Sequence, residues 1–343
     1  MIEKIYEMIE KMFFPSIGCI LISLLSIFFG LLFKGIDRKI VARMQKRVGP
    51  PIKQPFLDVA KLMIKENVIP ENAVKWMYNI APIICLASSI LLMLYIPIPG
   101  LEKIQLHTEN DIILIVYIFI IPALAMVAGG FASGSPFATI GAQREMVTMI
   151  SYEFPLAISV IAIAWKLSAF SENVFALSFI SSNPILSNVG LIGFIGSILL
   201  LLSLIIVIPG EVAKIPFDVA EAETEIAQGV LVEYSGRNLA LFYMADGVRI
   251  FAMASLIVNI FFPYNISSIL GLSGYPSTIA DFIFFLLKVF LLIFFSVTII
   301  RAGMARLRIN QVVTSYWVTI TLISLVGLLL LIWDNQFAIS LPW

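Results

Sequence analysis

Long apolar runs separated by short charged stretches dominate the chain. A helix crossing a bilayer core about 30 Å thick needs roughly 20 apolar residues. Eight such runs are present: Met12–Phe33, Ile80–Pro99, Ile112–Phe131, Met146–Trp165, Val189–Ile208, Leu239–Phe262, Phe282–Ile300 and Val313–Trp333. They are continuous rather than alternating, and each can satisfy its own backbone hydrogen bonds, so the pattern predicts helices and not a β-barrel. The first run follows Glu3, Glu7 and Glu10 and ends at Lys34. A secretory signal would have a basic start, a shorter apolar core and a small-residue cleavage site, so this run reads as a retained span. The expected fold class is an all-α integral membrane protein of eight transmembrane helices in one polytopic domain, 1–343, without linker, second domain or internal repeat.

The loops then orient the spans. Connections are expected at 34–79, 132–145, 209–238 and 301–312 on one face, and they hold 16 of the 22 Lys and Arg residues; the opposite face holds only Lys4, Lys11, Lys103 and Lys166. An excess of basic residues marks the cytoplasmic side. The chain is therefore expected in the cytoplasmic membrane with both termini outside.

Composition narrows the chemistry. Hydrophobic residues make up 60% and charged residues 13%, with zero net charge, which excludes a soluble domain or a nucleic-acid binder built on a basic patch. Cys19, Cys85 and His107 cannot supply the roughly four ligands of an iron–sulfur cluster or zinc site. No metal, cofactor or catalytic residue is expected in this chain.

Polar residues concentrate in three places. In the first connection, Gln54–Glu66 reads as an amphipathic helix in the interface plane, with Asp58, Lys61 and Lys65 on one side. The N-terminal stripe Ile2, Ile5, Tyr6 and Ile9 is similar but reads as a plain anchor. The fifth connection carries six acids (Glu211, Asp218, Glu221, Glu223, Glu225 and Glu233) against Lys214 and Arg237. After Pro216, Asp218 and Glu221 fit a helix start, with Asp218 as cap. On that helix Asp218, Glu221 and Glu225 would share a face, with Glu223 about 140° away from Asp218. Repelling carboxylates beside a membrane favour proton transfer.

The third place is inside the spans. Glu153 and Pro155 lie within Met146–Trp165, and Glu145 lies about 12 Å nearer the cytoplasm on roughly the same face. Pro155 would loosen the helix there. Asp246 and Arg249, three residues apart in the sixth span, read as a structural ion pair, and Lys288 in the seventh must find a partner elsewhere. Intramembrane charge of this density marks an ion or proton path.

These residues also carry a family pattern. Asp37-Arg38-Lys39, Gln45, Arg47, Gly49-Pro50, Gln54-Pro55, Asp58, Lys61-Leu62 and Lys65-Glu66 resemble the first cytoplasmic loop of the complex I subunit 1 (NuoH-like) family. Gly141-Ala142, Arg144 and Ser151-Tyr152-Glu153 resemble its second signature, and Pro216-Phe217-Asp218, Glu221-Ala222-Glu223, Glu225, Gly229 and Glu233-Tyr234-Ser235-Gly236 its third. Arg306-Leu307-Arg308, Gln311 and Trp317 form a weaker fourth.

The resemblance implies a membrane heel on which a soluble redox arm docks. Arg38, Gln45, Arg47, Asp58 and Lys61 would form the docking face. Glu145, Glu153, Asp218, Glu221, Glu223 and Glu225, with Asp246, Arg249 and Lys288 inside the spans, would form the ion path toward antiporter-like subunits. Only Pro51-Ile52-Lys53 separate Gly49-Pro50 from Gln54-Pro55, where quinone-type members carry a longer insert; Asp37 replaces a Glu and Asn310 an Asp. The compact form is similar to the membrane subunit of energy-converting nickel–iron hydrogenases and related sulfane sulfur reductases. Those imply partner subunits holding iron–sulfur clusters and a nickel–iron or similar centre: hydrogenase-like large and small subunits and a ferredoxin-type subunit. One alternative is the quinone-chamber subunit of a complex I-type oxidoreductase, with Gln54–Glu66 roofing the quinone. The other is an autonomous secondary transporter.

Overall fold

The computed structural model describes residues 2–101, 104–108, 110–168, 174–187, 189–272 and 274–337, with side chains from 18 to 336 except 268 and 269. The expectations for Glu3, Lys4, Glu7, Glu10, Lys11, Lys103 and the N-terminal stripe concern side chains outside the described residues.

Eight helices are long and apolar enough to span a membrane, and no strand occurs among the described residues. In chain order the helices are α1 (Ile2–Met44), α2 (Gln54–Ile64), α3 (Lys75–Tyr95), α4 (Asp111–Ala132), α5 (Pro136–Leu167), α6 (Leu177–Ser182), α7 (Leu191–Glu211), α8 (Glu223–Ile226), α9 (Gly236–Phe261), α10 (Ser267–Leu270), α11 (Tyr275–Ile293), α12 (Ile299–Gly303), α13 (Ile309–Thr314) and α14 (Thr321–Phe337). Two π-helical turns, Phe294–Thr298 and Ser315–Ile320, join α11 to α12 and α13 to α14, completing the last two spans.

The predicted spans all occur, but the helices run further into the charged loops. α1 continues past Phe33 through Asp37-Arg38-Lys39, and α5 begins ten residues before Met146, so these motif residues sit on helices rather than on loops. Pro155 does not interrupt α5. The loops carrying most of the charge meet at one end of the bundle, called the charged end below.

The central helix is α9: 78% of its most apolar window is buried, against 33–61% in the other spans. Around it stand α1, α3, α7 and α11, with α2 lying against its charged end. Between apolar helices in lipid there is little hydrophobic drive to associate, so close packing and polar ties hold them. Close packing is clearest where α1 crosses α9, since a Cβ on Gly30 would lie 2.6 Å from the Gly247 carbonyl. That crossing brings Lys34, one turn along α1, against Asp246. Phe29 and Phe33 of α1 pack on Phe251 with ring centroids 6.0 and 5.8 Å apart.

Candidate charged cavity and carboxylate line

A cavity of about 320 Å³ opens at the charged end, between α1, α9, the 212–235 loop and the loop after α12. Charged side chains from all four line it: Lys34, Arg38, Lys214, Asp218, Glu221, Glu223, Asp246, Arg301 and Arg306. Each wall is fixed by ion pairs between elements far apart in sequence. Asp246 accepts from Lys34 at 2.5 Å and from Lys214 at 2.7 and 2.9 Å. Asp218 takes a two-pronged contact from Arg306, 2.6 and 2.9 Å. Asp37 accepts from Arg301 and Thr298, both at 2.8 Å. Arg144 reaches Glu225 at 2.5 Å.

Two expectations are corrected here. Asp218 is not a helix cap: the segment after Pro216 is a chain of turns, and the only α-helical residues are Glu223–Ile226. Its carboxylate is committed to Arg306, and Ala227, Gln228 and Gly229 adopt left-handed φ of 49°, 75° and 50°, which no α-helix can continue. The shared face of Asp218, Glu221 and Glu225 therefore does not form. Nor do Asp246 and Arg249 pair with each other. Asp246 faces the two lysines, while Arg249 turns inward to the side chain and backbone carbonyl of Glu211.

A smaller pocket continues inward from the cavity, sharing Ala213, Glu221, Leu231, Tyr243 and Asp246 and adding Cys85, Met126 and Arg249. Beyond it lies a buried polar group inside the bundle: Arg249, Glu211, Glu145 and Tyr152, each no more than 3% exposed. Glu145 lies in the electrostatic field of Arg249 and Glu211, and Glu211 in turn in that of Glu153. Oε1 of Glu145, Oε1 of Glu153 and Nε of Arg249 are all buried without a hydrogen-bond partner, while the Tyr152 hydroxyl lies close to Glu211. Unsatisfied buried polar atoms are rare and costly in native proteins, so three in one group mark a site. Glu153 ends the line on the outer side of α5, half-buried, beside the exposed Phe154–Trp317 stack.

Glu221 joins the cavity to this line, within electrostatic reach of both Asp246 and Glu145. Loss of surrounding water pushes its carboxyl up to about 7, an effect Lys214 only partly offsets. It can thus gain or lose a proton near neutrality. Glu223 is exposed on the cavity rim.

Lys288 stands apart. It donates to the carbonyls of Phe262 and Tyr264 at 2.7 and 2.9 Å, at the far end of α9. The residues expected to dock an arm lie at the charged end: Arg38 pairs with Asp58 at 3.2 Å, while exposed Arg47 donates to Gln45, and Lys61 is exposed. The space between α2, α1 and α9 amounts to about 10 Å³, room for about one water. Cys85 is buried and Cys19 half-buried, both free thiols. No group of His, Cys, Asp and Glu fit for a metal ion exists among the described residues.

Reading the sequence did not single out Lys34 and Lys214 as partners of Asp246, nor Glu211 as the partner of Arg249. The signal for Glu211 was present: it follows Pro209-Gly210 directly at the end of a long apolar run. A second buried pair, Lys166 with Asp334 at 2.5 Å, closes the opposite end between α5 and α14. There Asp334 also accepts the Gly190 and Gly193 amides at 3.1 Å.

Eight spans around a charged mouth and a line of buried carboxylates define a polytopic membrane protein with a polar interior. Residues 17–332 match the family described as NADH dehydrogenase, and the chain belongs to that family. The NuoH subunit of the NADH-quinone oxidoreductase of Geobacillus kaustophilus is 31% identical over 335 residues, covering 92% of each chain. Its counterpart in Bacillus thuringiensis is 33% identical over 303 residues, 86% of each. Among solved structures, a chain of the archaeal membrane-bound sulfane sulfur reductase, a respiratory membrane complex, superposes with a TM-score of 0.79 at 26% identity, covering 92% of this chain and 99% of that one.

Proposed function

We propose that this chain is the membrane anchor and ion-coupling subunit of a redox-driven ion-translocating complex, of the ferredoxin-dependent hydrogenase or sulfur-reductase type. The charged end faces the cytoplasm and carries the soluble arm. Electron transfer in the arm changes the charge felt at the cavity. Glu221 responds by taking up or releasing a proton, and Glu145, Glu211 and Glu153 relay that change laterally to antiporter-like membrane subunits docked beside α5. The observation carrying this reading is the succession of carboxyl groups, each within electrostatic reach of the next, from an open charged mouth to a half-buried Glu153 on α5 whose Oε1 has no hydrogen-bond partner. A carboxyl in that position is expensive unless a partner covers it.

The cavity lining favours a hydrogenase or sulfur-reductase branch, since small-molecule pockets are mostly apolar and this one is lined chiefly by charges. One observation favours the quinone reading: the Geobacillus kaustophilus and Bacillus thuringiensis relatives, both above 30% identity, are NADH-quinone oxidoreductase subunits. Affinity purification of the tagged chain in mild detergent separates the two. Soluble partners with two Cys-x-x-Cys pairs, and hydrogen evolution from reduced ferredoxin, establish the hydrogenase type; a partner keeping part of that cysteine set indicates sulfur reduction. Bound quinone on a partner without them establishes the complex I type, and a chain isolated alone and monodisperse refutes both in favour of a transporter.

A further inference from the structure

A second crevice of about 510 Å³ lies outside the charged cavity, between the end of α2 and the first turns of α3 and α9. Its polar end holds Arg237, the second residue of α9, with Asn67, Asn79 and Asn238. Its other end is apolar, with Met63 46% and Ile83 56% exposed, and Ile83 one helical turn deeper in the bundle than Asn79. The crevice is thus polar at the level of a membrane interface and apolar toward the hydrocarbon.

Three features leave the polar end unsatisfied. Arg237 is exposed, and among the described residues no carboxylate lies within ion-pair distance of it. It sits in the first turn of a 26-residue helix whose N-cap, Ser235, makes no capping bond, its hydroxyl meeting Val68 instead. A cation at the positive end of an uncapped helix is unfavourable alone and becomes favourable once an anion lies between them. Finally, Asn79 Oδ1 accepts from Asn238 at 2.8 Å and from Asn67 at 3.5 Å, which leaves Asn67 Oδ1 buried with no donor.

We infer that this crevice binds one anionic phospholipid. The phosphate meets Arg237 at the start of α9, and an acyl chain lies along Met63 and Ile83. Basic pockets between spans at the cytoplasmic side are suited to such headgroups. The bound lipid would brace the end of α2 against the first turns of α3 and α9.

Native mass spectrometry of the complex, delipidated in detergent and titrated with dioleoyl phosphatidylglycerol, tests this. One saturable adduct is expected, favoured about tenfold over dioleoyl phosphatidylcholine, as a charge-assisted contact implies. Arg237→Ala should weaken it to a similar degree, Arg308→Ala should not, and Ile83→Trp should block it by filling the acyl end with the charges intact. Ile83→Trp carries the test if Arg237→Ala fails to assemble. The inference is overturned by the absence of a saturable adduct, by equal affinity for both lipids, by wild-type binding in the variant that assembles, or by displacement of the lipid by an equal concentration of inorganic phosphate.

Discussion

Asp246 holds two lysines at once, and removing its charge gives the most direct test of the cavity wall. In Asp246→Asn, Lys34 and Lys214 lose the carboxylate that each contacts at under 3 Å and are left facing one another. Lys34 is the costlier of the two, because its side chain is 9% exposed against 16% for Lys214. Breaking a buried pair by removing one partner costs about 3–5 kcal/mol. The assay is equilibrium unfolding of the purified chain in mixed micelles with increasing dodecyl sulfate. Asp246→Asn should lose about 3–5 kcal/mol, and adding Lys34→Met should recover most of it, since Lys214 can then turn to the water of the cavity. Lys34→Met alone should cost less than Asp246→Asn, because the Lys214 pair survives. A loss under about 1 kcal/mol in Asp246→Asn, the range of exposed pairs, or no recovery in the double variant, would refute the two-lysine account.

Other expectations follow from the same geometry. Glu153→Gln and Glu223→Gln should lower ion translocation in reconstituted vesicles with the complex intact; pumping at wild-type rates in both would remove the carboxylate route. Glu221 is pushed up to about 7, so the folded chain holds its proton more tightly than an unfolded one; stability falls as pH rises from the ordinary glutamate range toward 7, and Glu221→Gln should flatten that slope in melting curves. Arg47→Glu should release the soluble arm during detergent extraction, measured by size-exclusion chromatography. Lys166→Met leaves Asp334 buried with only two amide donors and should lower the melting temperature while pumping per assembled complex stays unchanged.

The spans were legible because a bilayer accepts only long apolar helices or closed barrels, and eight continuous, non-alternating apolar runs leave only the helices. So was the position of the carboxylates, since charge among apolar neighbours is conspicuous. Pairing was not legible. Asp246 and Arg249 are neighbours on one helix, yet Lys34, 212 residues from Asp246, and Glu211, 38 residues from Arg249, claim them. A lysine at the end of an apolar run looks like an interface anchor until the Gly30–Gly247 crossing shows what lies opposite. The course of the 212–235 loop was hidden for a related reason. Its acids suit the first turn of a helix, but its backbone is bent by long-range partners: Arg306 on Asp218 and Arg144 on Glu225.

The π-helical turns of the last two spans bear on insertions and deletions. A π turn closes its hydrogen bonds one residue later than an α turn, so each stretch holds one residue more than its length requires. Deleting a single residue within Phe294–Thr298 would regularise the helix and leave both flanks on their present faces, with Arg301 still directed at Asp37. The same deletion in α9, which has no such surplus, would turn everything beyond it by about 100° and carry Asp246 or Arg249 away from its partners. These two spans can therefore lose a residue without losing register, and they flank the short loop that delivers Arg306 to the cavity.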